Sequence, residues 1–252
     1  MKIDSILVSS NVCGHYLDLY PLVFRTWYDK FNIRCYLILI ADKIPDNLKH
    51  LSDYIILFEP IPNLNDIYVA QVIRILYPAL MKGNVLISDV DIFPISKKYF
   101  IDSLEDIDEN KFITFTDRYV KQNMYAICYN VANSNIWRDI FKINNKNDIV
   151  IKLKEWYNES FDGTKNCNGW FTDQLMLYKY TNKWNKETNN LIILEDKKLG
   201  FNRLDKRERN KIVKEFDKYK SDIGNYTDFH CIKPYSKLKL YIKQLVNEIR
   251  KI

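Results

Sequence analysis

The residues best suited to chemistry in this chain are Asp89 and Asp91, which close the apolar run Val85-Leu86-Ile87-Ser88 and lead into Ile92-Phe93-Pro94. Two carboxylates one residue apart at the end of a buried strand repel each other where water is scarce, so something must cancel their charge. A hard divalent cation does this through oxygen ligands, and Mn²⁺ or Mg²⁺ suits such a set. The plainer alternative is an Asp-rich turn after a strand, and the apolar residues on both sides bring the metal level with it, leaving the rest of the sequence to decide.

Other residues extend this chemistry. From Asp66 to Met81 nearly everything is apolar except Gln71 and Arg74, which share one helix face at i, i+3. A buried arginine requires an anionic partner, either a nearby acid such as Asp89 or a phosphate or sugar of a ligand. His230 lies in Phe229-His230-Cys231-Ile232-Lys233-Pro234-Tyr235 and would complete an oxygen, oxygen, nitrogen set with the two acids. An imidazole ligand favours Mn²⁺ over Mg²⁺, and Lys233 would add positive charge toward the same anion. In Gly169-Trp170-Phe171-Thr172-Asp173-Gln174 an acid and an amide sit at a helix start beside a tryptophan. That suits recognition of sugar hydroxyls, although Asp173 would equally complement the helix dipole.

The elements that must position these groups alternate between strand and helix. Strands are expected at Ile3 to Val8, breaking at Ser9-Ser10-Asn11, then at Cys35 to Ile40, Tyr54 to Phe58 and the stretch ending at Asp89. Helical patterns with Leu19, Val23, Trp27 and Phe31, and from Asp66 to Met81, separate them. Such alternation implies a mainly parallel sheet covered on both faces, with ligands beyond the carboxyl ends of the strands. Further on, Phe112 to Thr116, Met124 to Tyr129 and Leu191 to Leu194 read as strands. Ile136 to Phe141, Asp148 to Tyr157, Thr172 to Tyr180, Lys206 to Tyr219 and Lys237 to Ile252 read as helices. The last of these is amphipathic, a pattern that fits docking on the domain's own core better than a membrane surface.

The 252 residues, 47% hydrophobic, suffice for one large domain without a repeat or linker. No 18-residue apolar stretch occurs, and Met1-Lys2-Ile3-Asp4 has no signal-peptide pattern, so a soluble, cytoplasmic protein is expected. Five scattered cysteines without a Cys-x-x-Cys pair argue against disulfides and zinc and read as buried thiols. A net charge of +6 suits anionic small ligands, while the lack of a dense basic patch interleaved with aromatics argues against nucleic acid.

Taken in order, Arg74, Asp89-Val90-Asp91, Asp173-Gln174 and His230-x-x-Lys233-Pro234 resemble the GT-A glycosyltransferases, most closely the glycogenin-like retaining enzymes. The resemblance runs from about residue 3 to 235 and rests on the ordered set rather than on any one motif. The chain is also similar to glycosyltransferase domains of large DNA viruses, in keeping with its Asn, Ile and Lys bias, which would imply host cytoplasm. The resemblance implies an α/β GT-A (Rossmann-like) fold: one domain over 1–235 with a mainly parallel sheet flanked by helices, and 236–252 as an appended helix. It implies Mn²⁺ (or Mg²⁺) held by Asp89, Asp91 and His230, with Lys233 on the diphosphate of a UDP-sugar. Ser9, Ser10, Asn11 and Tyr16 would line the uridine pocket, and Gln71 would face the donor. Arg74 and Asp89 would touch the donor sugar, and Asp173 and Gln174 would lie near its anomeric carbon. The acceptor would be a glycan or protein, with anomeric configuration retained. Two departures bear on the acceptor and the sugar: the family's Asn-Ser-Gly or Asn-Ala-Gly turn is replaced by Ala126-Ile127-Cys128-Tyr129-Asn130-Val131, and no glycine separates His230 from Lys233. Competing classes are a sugar-nucleotide nucleotidyltransferase and a catalytically silent sugar-nucleotide-binding module. The first would want a basic phosphate loop after strand one, which Ser9-Ser10-Asn11-Val12-Cys13-Gly14 does not offer.

Overall fold

Four parallel strands carry the first third of the chain: β1 (Ser5–Asn11), β2 (Arg34–Ile40), β3 (Ile55–Phe58) and β4 (Asn84–Ile87). They belong to a seven-stranded sheet of order β3-β2-β1-β4-β7-β6-β8, with β6 (Phe112–Thr114), β7 (Asn130–Asn133) and β8 (Leu191–Ile193). Only β7 runs against its neighbours, β4 and β6. The computed structural model describes residues 1–252, the side-chain surroundings of Gly14 and His15 excepted.

Strand alternation divides the core. Ile6 and Val8 face one cluster with Val23 and Trp27 of α1 (Tyr20–Phe31), whereas Leu7 faces the other with Val69, Val72 and Ile73 of α2 (Asp66–Leu76). The second face also packs Trp137 of α3 (Ser134–Phe141), Leu153 of α4 (Lys146–Trp156) and Leu177 of α5 (Thr172–Thr188). The closing helix α6 (Tyr235–Lys251) buries Leu238, Ile242, Leu245, Val246 and Ile249 in the first cluster. Among the described residues no helix is long and apolar enough to cross a membrane.

Several elements differ from expectation. β1 runs on through Ser9, Ser10 and Asn11, because β2 supplies a parallel partner as far as Asn11↔Ile40. The helix expected from Asp66 to Met81 becomes a 3₁₀ turn at Tyr77–Leu80, where Pro78 cannot donate the next helical bond. Met124 to Tyr129 is buried but irregular, with the strand beginning only at Asn130. There the Asn130 side-chain amide donates to the carbonyls of Ala126 and Ile127 at 2.8 and 3.2 Å, in place of a ladder partner. The helix expected over Lys206 to Tyr219 is broken into Lys206–Glu208, Arg209–Lys214 and Phe216–Ser221. Of the cysteines, Cys35, Cys128 and Cys231 are buried thiols, while Cys13 and Cys167 are only half-buried.

A second, three-stranded sheet was not foreseen: β5 (Ile92–Pro94), β10 (Asp228–His230) and β9 (Arg203–Leu204), in that order. It lies against the end of β4 and brings the last quarter of the chain to the paired acids.

Candidate functional site

The small sheet explains how residues far apart in sequence meet. β5 starts directly after Asp91, and its antiparallel pairing with β10 sets His230 opposite Ile92. The Cys231 N–H donates to the Asp91 carbonyl at 2.8 Å and fixes this register. β9 runs parallel to β10 with Leu204 beside Phe229, so Asp205 and Lys206 emerge at the same end as His230. The Asp205 carboxylate accepts from the Arg207 N–H at 2.9 Å and caps the turn that carries Lys206.

At that end three nitrogens surround one oxygen of Asp91. His230 Nε2 lies 3.3 Å, Lys233 Nζ 3.2 Å and Lys206 Nζ 3.9 Å from Asp91 Oδ2. Burial works to raise the Asp91 carboxyl, but His230, Lys233 and Lys206 outweigh it and hold the group well below the usual carboxylate range. Lys233 also sits 3.8 Å above the Tyr16 ring, a cation–π contact that brings Tyr16 into the site.

The second group is built on Arg74. Its side chain leaves the buried face of α2, its Nη1 donates to Asp89 Oδ1, and its Nη2 donates to Asp173 Oδ2 at 3.3 Å. The anionic partner that a buried arginine requires is therefore both acids at once. Burial would lower the Arg74 pKa, but the two carboxylates raise it above its ordinary value. Asp173 lies in the first turn of α5, where the Gln174 N–H donates to its Oδ1 at 2.8 Å. Burial nonetheless pushes its carboxyl up to about 6, with Arg74 and the Gln174 N–H offsetting only part of the rise.

The site is thus polarised. Asp89 and Asp173 share one guanidinium, leaving that group net negative; Asp91 faces two ammonium groups and an imidazole, leaving that group net positive. Asp89 and Asp91 are two residues apart, so the Cα atoms that anchor the two groups lie at most ~7 Å apart. A bond breaking between them into a cation and an anion would have each fragment stabilised on its own side.

Asp91 and His230 satisfy a basic test for a shared divalent cation. An N···O distance near 3.3 Å fits two adjacent ligands on one ion, given bonds of about 2.0–2.2 Å. Asp89 gives Oδ1 to Arg74, and among the described residues its Oδ2 has no partner. Among the described residues no three His, Cys, Asp or Glu side chains converge into a ready-made cage. The donor set of carboxylate oxygens and one imidazole fits Mn²⁺, with Asp89 as the ligand that has to turn.

The remaining expected residues lie on β1, α2 and α5. Ser9 donates to the Ala70 carbonyl on α2, whereas Ser10, on the opposite face of β1, donates to the Asn11 carbonyl at 2.8 Å. Asn11 accepts from the Cys13 N–H at 3.2 Å. Gln71 is half-buried, and its carbonyl receives Arg74 Nε at 3.2 Å. Gln174 is half-buried beside Asp173, and its carbonyl accepts from the Tyr125 N–H at 3.4 Å. Lys206 had no signal in the sequence, being one of several basic residues in its stretch.

Behind His230 lies a buried network that sequence reasoning also missed. Arg203 makes a bidentate pair with Asp228 at 2.8 and 2.7 Å, and the Tyr129 hydroxyl donates to the same carboxylate at 2.8 Å. Asp228 is two residues before His230 on β10, so this network anchors the strand that delivers the imidazole. Tyr129 has φ 67°, a left-handed conformation, in the very segment that lacks the expected glycine. A cavity of about 40 Å³ adjoins the network, bounded by Arg118, Tyr119, Cys128, Phe201 and Arg203. A larger cavity of about 790 Å³ lies beside Ile3, Ile33 and Leu104, at the opposite ends of the parallel strands.

No protein-family model and no curated protein sequence matches the chain. Two structures of the glycosyltransferase GlyE from Streptococcus pneumoniae TIGR4 are similar to it at 13% identity. The apo form superposes with a TM-score of 0.51 over 99% of this chain and 62% of GlyE. The second has a TM-score of 0.52 over 100% of this chain and 63% of GlyE. The chain therefore spans less than two thirds of the GlyE structures. A galactosyltransferase, LgtC, solved in complex with donor and acceptor sugar analogs, matches at 13% identity and a TM-score of 0.48, over 96% of this chain and 95% of LgtC. The GlyE likeness shows the fold: a mainly parallel α/β sheet of the GT-A type.

Proposed function

We propose that this chain is a metal-dependent glycosyltransferase that moves a sugar from a UDP-sugar to a glycan or protein acceptor with retention of configuration. The observation that carries this reading is the polarised pair of charge groups at the end of β4: Asp91 among His230, Lys233 and Lys206, and Arg74 between Asp89 and Asp173. Breaking a sugar–phosphate bond produces these two charges, an oxocarbenium-like sugar and a diphosphate with extra negative charge.

In this reading Asp89, Asp91 and His230 would hold Mn²⁺, which would supply Lewis-acid charge stabilisation on the diphosphate side. Lys233 binds the same diphosphate from the side of β10. Arg74 orients Asp89 and Asp173 and reaches hydroxyls of the donor sugar. The Asp173 carboxylate lies against the cationic face of the sugar. Ser10, Asn11 and Tyr16 line the nucleoside side, and Gln174 faces the sugar.

The test is incubation with Mn²⁺ and a panel of UDP-sugars, reading UDP release. The unsubstituted protein is expected to release UDP, and Asp91→Ala to lose both release and Mn²⁺-dependent UDP binding. Unchanged UDP affinity in Asp91→Ala refutes the reading. Pyrophosphate-dependent formation of UTP would indicate a nucleotidyltransferase, and binding without turnover a silent module.

A further inference from the structure

We infer that Lys206 is a second ammonium arm for the nucleotide diphosphate, beside Lys233; this rests on the donor reading above. Asp91 needs one full positive charge for balance, and Lys233 supplies it at 3.2 Å. Lys206 approaches the same oxygen to 3.9 Å, with its side chain 38% exposed. With Lys233 already paired to Asp91, Lys206 leaves that oxygen with one ammonium more than its charge balance requires. The surplus charge is what an incoming dianion would use.

The backbone supports the same assignment. The turn Lys206–Glu208 is capped by Asp205 and follows β9, whose pairing with β10 ties its position to that of His230. Lys206 and Lys233 therefore follow two neighbouring strands of one small sheet and approach the same oxygen of Asp91. An anion bound beside the two lysines relieves the repulsion between their ammonium groups.

The experiment is calorimetric titration of UDP and of uridine, in Mn²⁺ buffer, into the unsubstituted protein, Lys206→Met and Lys206→Arg. Lys206→Met is expected to lose about tenfold in UDP affinity, ~1.4 kcal/mol, and to bind uridine as before. Lys206→Arg is expected to recover most of the loss, and the salt dependence of UDP binding to flatten in Lys206→Met. UDP affinity unchanged in Lys206→Met, or equal losses for UDP and uridine, overturns the assignment. If the unsubstituted protein shows no preference for UDP over uridine, the donor reading falls as well. If it shows that preference and Lys206→Met keeps it, only Lys206 is wrongly assigned.

Discussion

Replacing Asp173 by asparagine is expected to abolish transfer while making the fold more stable at neutral pH, relative to acid pH, than the unsubstituted protein. Asp173 is buried at the start of α5, and its carboxyl is pushed up to about 6 from an ordinary 3.8. The folded chain therefore binds a proton more tightly than the unfolded chain. Between the two values it carries more protons, so stability falls as pH rises through that window. The gap of about two pH units is worth ~3 kcal/mol at 1.36 kcal/mol per unit, and the penalty is fully present above about pH 6. An amide cannot titrate, so its own offset is independent of pH. The difference in unfolding free energy, variant minus unsubstituted, should therefore rise by ~3 kcal/mol between about pH 3 and 7 and level off beyond. Urea denaturation followed by tryptophan fluorescence across this range measures it, with UDP release assayed in parallel. A difference that stays flat with pH, or falls as pH rises, refutes the reasoning. The expected outcome is that of a carboxylate kept in an unfavourable place for its function.

Two other substitutions test separate parts of the site. His230→Ala is expected to weaken Mn²⁺ binding by at least about tenfold, as judged from the effects of disturbing metal surroundings, and unchanged calorimetric affinity would exclude the imidazole as a ligand. Asp228→Ala leaves Arg203 buried without its partner and should cost about 3–5 kcal/mol, seen as a fall in Tm of roughly 6–20 °C. Combining it with Arg203→Met should recover part of that loss, and a double variant no more stable than the single would show that the pair is not coupled.

The parallel sheet was legible because its strands are long, apolar and separated by helices of clear period, and the same holds for the Asp89-Val90-Asp91 strand end. Arg74 stood out because it was the one cation on an apolar helix. Its pairing with both Asp89 and Asp173 was not legible, since Asp173 lies 99 residues further on and only α5 packing against α2 brings them together. The small sheet escaped notice for a physical reason: strands of two and three residues, such as Arg203–Leu204 and Asp228–His230, are too short to display a period. Met124 to Tyr129 misled because buried residues look like a strand whether their carbonyls pair with a ladder or, as here, with the Asn130 side chain. Tyr129 shows the same point in reverse. Where a glycine was missed, a tyrosine takes the left-handed turn and its hydroxyl bond to Asp228 helps to offset the strain.

Because β10 is the middle strand of the small sheet, Asp91 receives its counter-charges from chain synthesised long after it. All strands of the large sheet exist once β8 has been made, yet a ribosome-bound or truncated chain ending there would hold Asp91 without His230, Lys206 or Lys233. Such an intermediate would pair Asp89 with Arg74 but leave Asp91 bare, with neither lysine in place to grip a nucleotide. Competence to bind therefore arrives last, which ties ligand capture to completion of the fold.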